Sequence, residues 1–348
     1  MKKLTIELKN SYDVLIEKGL LQKSGDLIRS ITRSNKAFVI SDSNVYNIYG
    51  EEIMTSLEKA GFKTGKFIFE AGEKSKNLHT IEKIYQELAL FNMTRLDIIV
   101  DLGGGVCGDM AGFCASTFLR GVPCVHIPTS LIAQVDSSIG GKTGVNLENG
   151  KNLVGTFYQP SLVIVDPLLL DTLEDLYFED GMAEVIKYAA IRDKSLFLRL
   201  LSNDPMKDIE EVIFTCLSIK KELVEEDEFD KSSRMLLNFG HTIGHAIESY
   251  YNYNKFSHGQ AVALGMKYIS MFGEKLGITS KGTSKQIEEI LNRYGLPTEI
   301  EGSLSGVLRY ISLDKKNILG KLNLILIKEI GESIVYPIDI NEFRLNLS

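Results

Sequence analysis

Residues 97–113 read Asp-Ile-Ile-Val-Asp-Leu-Gly-Gly-Gly-Val-Cys-Gly-Asp-Met-Ala-Gly-Phe, and this stretch decides the expected fold. Its start, 97–102, is a short apolar-cored segment typical of a buried strand. Gly103, Gly105 and Gly108 follow and satisfy the pattern Gly-x-Gly-x-x-Gly. Glycines between a strand and a helix let the backbone approach a diphosphate, which the helix N-terminus stabilises. The stretch therefore predicts a strand–turn–helix unit that binds a dinucleotide.

Two features of this turn favour the alternative of a simple packing turn. The turn lies far into the chain rather than at the first βα unit, and Asp109 would repel an anion bound there. Two other loops nevertheless carry polar residues just after predicted strands, namely Asp42 in one and Glu73 with Lys76 in the other. Such loops meet at one edge of a parallel sheet, where α/β proteins bind ligands.

Strand-like and helix-like segments alternate through the first half of the chain. Strands are expected at 36–41, 67–70, 97–102, 122–127 and 162–165, with helices at 47–60 and 78–91. This alternation predicts a parallel sheet with helices on both faces. After Pro167, helical patterns dominate at 181–192, 208–226, 238–251, 259–276 and 284–294. We therefore expect an α/β domain over residues 1–174 and a mainly α-helical domain over residues 175–348.

The composition restricts the class of partner. A chain of 348 residues exceeds one ordinary core, so two domains are expected. A net charge of −7 disfavours a nucleic acid or an anionic membrane as partner. No apolar run reaches the roughly 18 residues of a membrane span. The four cysteines show no paired spacing, which is typical of reduced thiols. Together these features predict a soluble cytoplasmic protein that acts on a small molecule.

A histidine cluster points to a metal site. Three of the five histidines lie between His241 and His258. His241 and His245 share one face of a predicted helix, and His258 follows in a Ser-His-Gly turn. Two histidines and a carboxylate form a common catalytic zinc set. Glu184 is the preferred carboxylate and Glu248 is its rival, while structural histidines are the alternative interpretation.

Basic residues gather around the same motifs, although the chain as a whole is acidic. They are Lys142, Lys151, Lys187, Lys220, Arg234, Lys315 and Lys316. Lysines within glycine- and asparagine-rich motifs favour a polyanionic small substrate. The segment from Gly140 to Thr143 is not a nucleotide-binding P-loop, because that pattern needs glycine where Asp136 stands.

Taken together, these motifs resemble the 3-dehydroquinate synthase signature within the sugar phosphate cyclases. The matching runs are 97–113, IPTSLIAQVDSSIGGKTGVN at 127–146, GMAEVIKY at 181–188, RMLLNFGHTIGHAIE at 234–248, SHGQAVALGM at 257–266 and DKKN at 314–317. The resemblance implies a carbon–oxygen lyase of the shikimate pathway, which supplies aromatic amino acids. Such an enzyme converts 3-deoxy-D-arabino-heptulosonate 7-phosphate to 3-dehydroquinate and phosphate. The reaction would proceed in five steps: transient oxidation by NAD⁺, phosphate elimination, re-reduction, ring opening and aldol closure.

Site residues carry over from the resemblance position by position. It implies Zn²⁺, or Co²⁺, bound by Glu184, His241 and His258. It implies NAD⁺ contacts from Asp42, Asn44, Glu73, Lys76, Gly104, Gly105, Asp109, Thr129 and Ser130. It implies substrate contacts from Asp136, Lys142, Lys151, Asn152, Lys187, Lys220, Arg234, Asn238 and His245, with Lys315 and Lys316 undecided. It implies a Rossmann-like, NAD-binding α/β domain over residues 1–174 and a helical metal-binding domain over residues 175–348, with the active site between them. It also implies a homodimer, with Arg120 reaching the partner subunit's site.

Departures from the family pattern are limited to three places. Ser130 replaces a threonine and keeps the hydroxyl. Residues 232–233, just before Arg234, are both serine, whereas the family pattern contains a glycine there. Residues 147–149 read Leu-Glu-Asn, which departs from the family pattern before Gly150. Three alternatives stay open. The first is a related sugar phosphate cyclase that acts on another sugar phosphate or on an aminated substrate. The others are a metal-dependent polyol dehydrogenase and an inactive NAD-binding regulatory protein. The basic residues argue against a neutral polyol, and the complete metal set argues against an inactive protein.

Overall fold

The computed structural model describes residues 1–313 and 321–347, which form two compact units. The first unit comprises Met1–Leu173 and Lys220–Phe229, and the second begins with Glu174–Ile219 and resumes at Asp230. The predicted division into 1–174 and 175–348 treats residues 220–229 differently and stays a prediction. Lys315 and Lys316 lie outside the described residues.

Contacts within the first unit explain why residues 220–229 belong to it. Lys220 Nζ donates to the backbone carbonyl of Asp136 at 2.8 Å and pairs with its carboxylate at 2.5 Å. Further along the segment, Glu228 accepts a hydrogen bond from Gln159 at 3.1 Å. These contacts are polar and specific, so the segment is part of the first unit's structure.

The first unit is built on a sheet with helices around it. Its strands are β1 (Lys2–Ile6), β2 (Tyr12–Ile16), β3 (Lys36–Asp42), β4 (Lys63–Phe69), β5 (Ile98–Gly103), β6 (Cys124–Pro128), β7 (Lys142–Leu147), β8 (Gly150–Phe157) and β9 (Leu162–Val165). Its helices are α1 (Ser24–Ile31), α2 (Ser43–Lys59), α3 (Leu78–Leu90) and α4 (Gly105–Thr117). Seven strands form the main sheet in the order β1-β2-β9-β6-β5-β3-β4, and β7 pairs with β8 in a separate hairpin.

The strand order explains where a ligand can bind in this unit. All neighbours in the main sheet are parallel except β1 and β2. From β3 the chain passes outward to β4, whereas from β5 it passes the other way to β6 and β9. The order therefore reverses between β3 and β5, and ligands of such sheets bind at that point, beyond the strands' carboxyl ends. Asp42 ends β3 and the glycine turn follows β5.

Apolar residues cover both faces of the central strands. In β5, Val100 and Leu102 pack into one buried cluster and Ile99 packs into another. Strands buried on both faces read as continuous apolar runs, as residues 97–102 do. The predicted parallel α/β architecture of this unit is confirmed.

β4 and the β7–β8 hairpin differ from the sequence prediction for physical reasons. β4 begins at Lys63 rather than at residue 67, because it is the edge strand and its first residues are polar. The β7–β8 hairpin was not predicted, because its strands are rich in glycine and polar residues. Gly144 and Gly155 face each other there, and a Cβ on Gly155 would lie 2.2 Å from the carbonyl oxygen of Thr143.

The second unit is mainly helical, as expected. Its helices are α5 (Asp175–Arg192), α6 (Lys194–Ser202), α7 (Ile209–Glu226, whose end lies in the first unit), α8 (His241–Tyr250), α9 (His258–Lys275), α10 (Thr283–Arg293), α11 (Leu304–Leu308) and α12 (Ile340–Leu347). The strands β10 (Lys321–Glu329) and β11 (Glu332–Asp339) pair in an antiparallel hairpin. Residues 181–191 of α5 are all buried, so this helix is central. Among the described residues, no helix has the length and apolar character needed to cross a membrane.

A buried aspartate ties the end of β9 to the turn before α1. Asp166 is 2% exposed and accepts backbone hydrogen bonds from Gly19 at 2.9 Å, Leu21 at 2.9 Å and Leu168 at 3.0 Å. Asp166→Ala leaves these N–H groups without an acceptor. We expect the free energy of unfolding, measured by urea titration, to fall by about 3 kcal/mol. The exposed Asp171→Ala is the control and should change it by less than about 0.5 kcal/mol. Equal losses in the two variants would contradict this role.

Candidate functional site

Three predicted metal ligands converge inside the second unit. Glu184 lies in the middle of α5, while His241 and His258 are the first residues of α8 and α9. Glu184 Oε1 is 3.5 Å from His241 Nε2 and 3.6 Å from His258 Nε2. One potential ligand atom from each residue lies within 4.8 Å of the other two. A fully buried carboxylate with two imidazoles fits the two-histidine, one-carboxylate donor set of a divalent cation.

The orientation of His241 suits metal binding. Its Nδ1 lies 3.1 Å from the carbonyl oxygen of Phe239. The Nδ1–H tautomer would donate to this oxygen and leave the Nε2 lone pair facing Glu184. Burial lowers the pKa of His241 well below its usual value, so the ring is neutral near pH 7. Neutral imidazole is the form that binds metals.

His258 lies between two carboxylates. Its Nδ1 is 3.5 Å from Glu248 Oε2, on the side of the ring opposite Glu184. Burial lowers the pKa of His258, but the hydrogen bonds and charges of Glu184 and Glu248 outweigh it and raise the pKa to about 10. The same negative potential favours a bound cation. Glu248, the rival ligand, thus contacts the back of His258, and it also groups with His245 and His258 within 4.8 Å.

Glycines bring the two histidine-bearing helices together. A Cβ on Gly265 of α9 would lie 1.9 Å from the carbonyl oxygen of Gly240, and one on Gly244 of α8 would lie 3.1 Å from that of Ala261. Gly240 also needs a left-handed backbone, with φ +80°. The spacing of Gly240 and Gly244 in the sequence is therefore a helix-packing requirement that places His241 near His258.

The Ser-His-Gly turn before α9 has a separate function for each residue. Ser257 caps the helix, and its Oγ accepts from the Gln260 backbone while its own N–H donates to the Gln260 side chain. The Ser257 hydroxyl also bonds the carboxylate of Asp180 on α5. A Cβ on Gly259 would lie 2.4 Å from the α-carbon of Asp180, so only glycine allows this approach. His258 is thereby held against α5, which carries Glu184.

Other predicted residues of the second unit lie around or just before this cluster. The ring centroid of His245 is 5.5 Å from that of His241 and 6.1 Å from that of His258. Lys187 is buried and pairs with Glu184 on the same helix. Arg234, 2% exposed, and Asn238 lie on a short 3₁₀ helix, Ser233–Asn238, immediately before α8.

Within the first unit, the glycine turn is surrounded by the polar residues predicted to bind a cofactor. A Cβ on Gly103 would lie 3.6 Å from Asp42 Oδ2, and one on Gly104 would lie 3.3 Å from Ser130 Oγ. Thr129 donates its backbone N–H to the Gly103 carbonyl at 3.0 Å. Ser137, which the sequence prediction missed, approaches Gly105 in the same way at 3.1 Å. The turn leads directly into the N-terminus of α4, where backbone N–H groups can receive an anion.

Lys76 compensates the negative charge of Asp109 beside the glycine turn. The buried Lys76 ammonium pairs with the Asp109 carboxylate and lies 2.6 Å from Asn152 Oδ1. Burial raises the pKa of Asp109, and the charge of Lys76 opposes that rise. Nearby, the Asn146 side chain donates a 2.6 Å hydrogen bond to Glu73. The ion pair reduces the repulsion that Asp109 alone would exert on a bound anion.

The remaining predicted residues of the first unit occupy different positions. Asp136, on a π-helical turn, pairs with Lys220, and Lys142 lines the same pocket as the glycine turn. Lys151 and Asn152 lie on β8, where Asn152 has φ +53°. Asn44 is exposed in the first turn of α2. Arg120 is exposed and has φ +65°.

The contact between α8 and α9 gives a testable expectation. Gly244→Ala would press a methyl group against the α9 backbone and shift His241 relative to His258. We expect the affinity for Zn²⁺, measured by competition with a chromophoric chelator, to fall about tenfold. Ser249→Ala, a half-buried position on the same helix whose hydroxyl contacts Tyr253, should bind Zn²⁺ as the wild type does. Unchanged affinity in Gly244→Ala would contradict the geometric requirement.

Comparison with known families covers most of the chain. Residues 66–180 match the family model described as 3-dehydroquinate synthase N-terminal, and residues 181–317 match 3-dehydroquinate synthase C-terminal. The chain is 49% identical to the 3-dehydroquinate synthase of Clostridium botulinum (strain Alaska E43 / Type E3), covering 99% of this chain and 100% of that protein. The corresponding protein of Clostridium beijerinckii is 50% identical, again over 99% and 100% of the two chains.

Solved structures share the fold. A 2-deoxy-scyllo-inosose synthase complexed with carbaglucose-6-phosphate, NAD⁺ and Co²⁺ superposes with a TM-score of 0.88 at 24% identity over 99% of both chains. The 2-epi-5-epi-valiolone synthase of Streptomyces hygroscopicus subsp. jinggangensis 5008, with NAD⁺ and Zn²⁺ bound, gives 0.87 at 24% over 99% of this chain and 98% of that chain. A probable glycerol dehydrogenase from Sinorhizobium meliloti 1021 gives 0.62 at 15%, over 96% and 95%. These likenesses confirm the predicted fold class.

Proposed function

Because the chain belongs to the 3-dehydroquinate synthase family, we propose that it converts 3-deoxy-D-arabino-heptulosonate 7-phosphate to 3-dehydroquinate and phosphate, a carbon–oxygen lyase reaction. The observation that carries this proposal is the convergence of Glu184, His241 and His258 in one buried cluster. A chain of this family with a complete donor set has the means for metal-assisted chemistry. The reaction would place it in the shikimate pathway of aromatic amino acid biosynthesis.

The donor sets fit the two cofactors that the family resemblance implies. Bound in these sites, Zn²⁺ or Co²⁺ would acidify a substrate hydroxyl, and NAD⁺ would accept a hydride and return it within one turnover. Glu184 would contribute the one negative charge of the cation site, and burial keeps His241 neutral. In the first unit, Asp42, Ser130 and the start of α4 surround the glycine turn in an arrangement suited to a dinucleotide.

Buried basic residues support an anionic substrate. Lys187, Lys220 and Arg234 are 1%, 6% and 2% exposed in a chain of net charge −7. Lys187 pairs with Glu184 and Lys220 pairs with Asp136. Together with Arg234 they concentrate positive charge at predicted substrate residues of an acidic chain, which favours an anionic substrate. Arg234, with its planar guanidinium, is suited to bidentate binding of a carboxylate.

The remaining predicted residues are assigned to groups of the substrate by their chemistry. We assign the phosphate to Lys151, Asn152 and Lys220, and the substrate carboxylate or hydroxyls to Lys142 together with Arg234. Asp136 would accept hydrogen bonds from the diol, while Lys187 lies next to the cation site and Asn238 next to α8. His245, beside both histidine ligands, would orient a hydroxyl or relay a proton.

A metal-dependent polyol dehydrogenase is the less favoured function. The likeness to a glycerol dehydrogenase, at 15% identity, concerns the fold alone. A neutral polyol offers no partner for buried arginine and lysine side chains. Stoichiometric accumulation of NADH with glycerol, without phosphate release from the heptulosonate, would favour this alternative.

Removal of the metal tests the reaction directly. EDTA treatment should abolish phosphate release from the heptulosonate in the presence of catalytic NAD⁺, and Zn²⁺ or Co²⁺ should restore it. Glu184→Gln should lower Zn²⁺ affinity by about 100-fold or more, because it removes the charged ligand. Asp175→Asn, an exposed carboxylate at the start of the same helix, is the matched control. Full activity of the metal-free enzyme would refute the proposal.

We further propose a cytoplasmic homodimer in which Arg120 acts in the partner subunit's site. Arg120 is exposed on a turn where Leu119, Arg120 and Gly121 all have positive φ, so its backbone is held in an unusual conformation.

Subunit mixing tests this role of Arg120. Arg120→Ala and Glu184→Gln homodimers should each be inactive. Mixed dimers formed by refolding them together would contain one complete site, so about one quarter of wild-type activity should return. If Arg120 acted within its own subunit, no mixed dimer would have a complete site and no activity would return. Light scattering on each variant checks that dimers are present.

A further inference from the structure

A buried acid–base pair lies beneath the glycine turn and is not used by the proposed mechanism. Asp101 of β5 and His126 of β6 are register partners on neighbouring parallel strands. Asp101 Oδ2 lies 3.0 Å from His126 Nδ1, and the two residues are 2% and 6% exposed. Asp101 Oδ1 accepts no hydrogen bond from the described residues. The carboxylate therefore depends on His126 for much of its compensation.

Glycines of α4 leave this pair in contact with the cofactor pocket. A Cβ on Gly108 would lie 3.3 Å from Asp101 Oδ2, and one on Gly112 would lie 3.7 Å from His126 Cε1. Asp101 and His126 line the same pocket as the glycine turn and Lys142. The pair is thus the floor of that pocket, directly below the first turns of α4.

The charge of this floor matters for an anionic ligand. Several charged or titratable groups surround the pair. Asp42 from β3, Cys107 from α4 and Cys124 from β6 interact electrostatically with Asp101, and Asp109 from α4 interacts with His126. Lys142 from β7 lines the same pocket, while Glu73 and Lys76 from the loop after β4 act on Asp109. Burial raises the pKa values of Cys107 and Cys124, so both thiols are uncharged. Lys76 already compensates Asp109. A negative charge on Asp101 that His126 did not compensate would therefore oppose a diphosphate at α4.

We propose that the Asp101–His126 pair holds one proton and so keeps the floor of the cofactor pocket electrically neutral, which permits the NAD⁺ diphosphate to bind at the N-terminus of α4. The pair is neutral whether the proton resides on the imidazole or on the carboxyl group. His126 is thus a positioning residue that acts through Asp101. This inference rests on the proposed function, because it presupposes that the glycine turn binds NAD⁺.

Two single substitutions separate charge from packing, since both break the pair but only one leaves an acid behind. His126→Gln keeps the Asp101 carboxylate and removes its base, whereas Asp101→Asn removes the charge. Isothermal titration of the intact enzyme with NAD⁺ at about pH 8 should give a dissociation constant about tenfold higher for His126→Gln. Asp101→Asn and the double variant should stay within about twofold of the wild type.

A pH series sharpens the test. Burial raises the pKa of Asp101, so this carboxyl group is protonated more readily than an exposed one. In His126→Gln, lowering the pH should protonate Asp101, remove its charge and recover most of the lost affinity. The ratio of the variant's dissociation constant to that of the wild type should therefore rise with pH.

A buried aspartate at the other end of the same strand gives the control. Asp97 is 5% exposed and accepts hydrogen bonds from Ser34 Oγ at 2.5 Å and the Thr94 backbone at 2.6 Å. Asp97→Asn should lower the melting temperature and leave NAD⁺ affinity unchanged. Zn²⁺ affinity, a property of the second unit, should be unchanged in every variant and so reports correct folding.

The outcomes distinguish the inference from the proposed function. Equal weakening by His126→Gln and Asp101→Asn would show that the pair acts through packing and would overturn the inference. Wild-type affinity in His126→Gln would overturn it as well. Failure of the wild-type enzyme to bind NAD⁺ would overturn the proposed function and the inference together.

Discussion

The close approach of α8 and α9 is the constraint on which the second unit's site depends. At Gly240 and Gly265 the two backbones meet without room for a single methyl group. This contact and that of Gly244 with Ala261 hold the two helices side by side, and each helix begins with a histidine. Gly259 then brings α9 against α5, where Glu184 is buried. Three helices therefore supply one donor each through steric fit rather than through flexible side chains.

In the first unit, compensation of charge plays the corresponding part. The carboxyl ends of β3 and β5 bring acids close to a turn that is suited to an anion. Lys76 compensates Asp109, and His126 contacts Asp101. The bases come from other segments of the chain than the acids they face. An anion site can thus be assembled among carboxylates when each one is matched by a base across the fold.

The sequence predicted those parts of the fold and site that local patterns encode. The apolar run before Gly103 indicated a buried parallel strand. The histidine spacing indicated a metal cluster made by one helix and the Ser-His-Gly turn before the next helix. It could not reveal that Lys76 would reach Asp109, or that the edge position of β4 would tolerate polar residues, because both depend on tertiary neighbours. The sequence analysis did not single out Asp101, which lies within an apolar run. An acidic residue in a buried strand nevertheless indicates that a compensating side chain lies nearby. The β7–β8 hairpin lacked alternation because glycines face each other across it.

The origin of the three candidate ligands from α5, α8 and α9 has a consequence for the lifetime of the protein. A cation held by all three would act as an additional crosslink between these helices. Its binding free energy would add to the stability of the second unit by mass action. Metal supply would then govern how often this unit opens to proteases, so scarcity of the ion would reduce the amount of enzyme as well as its turnover.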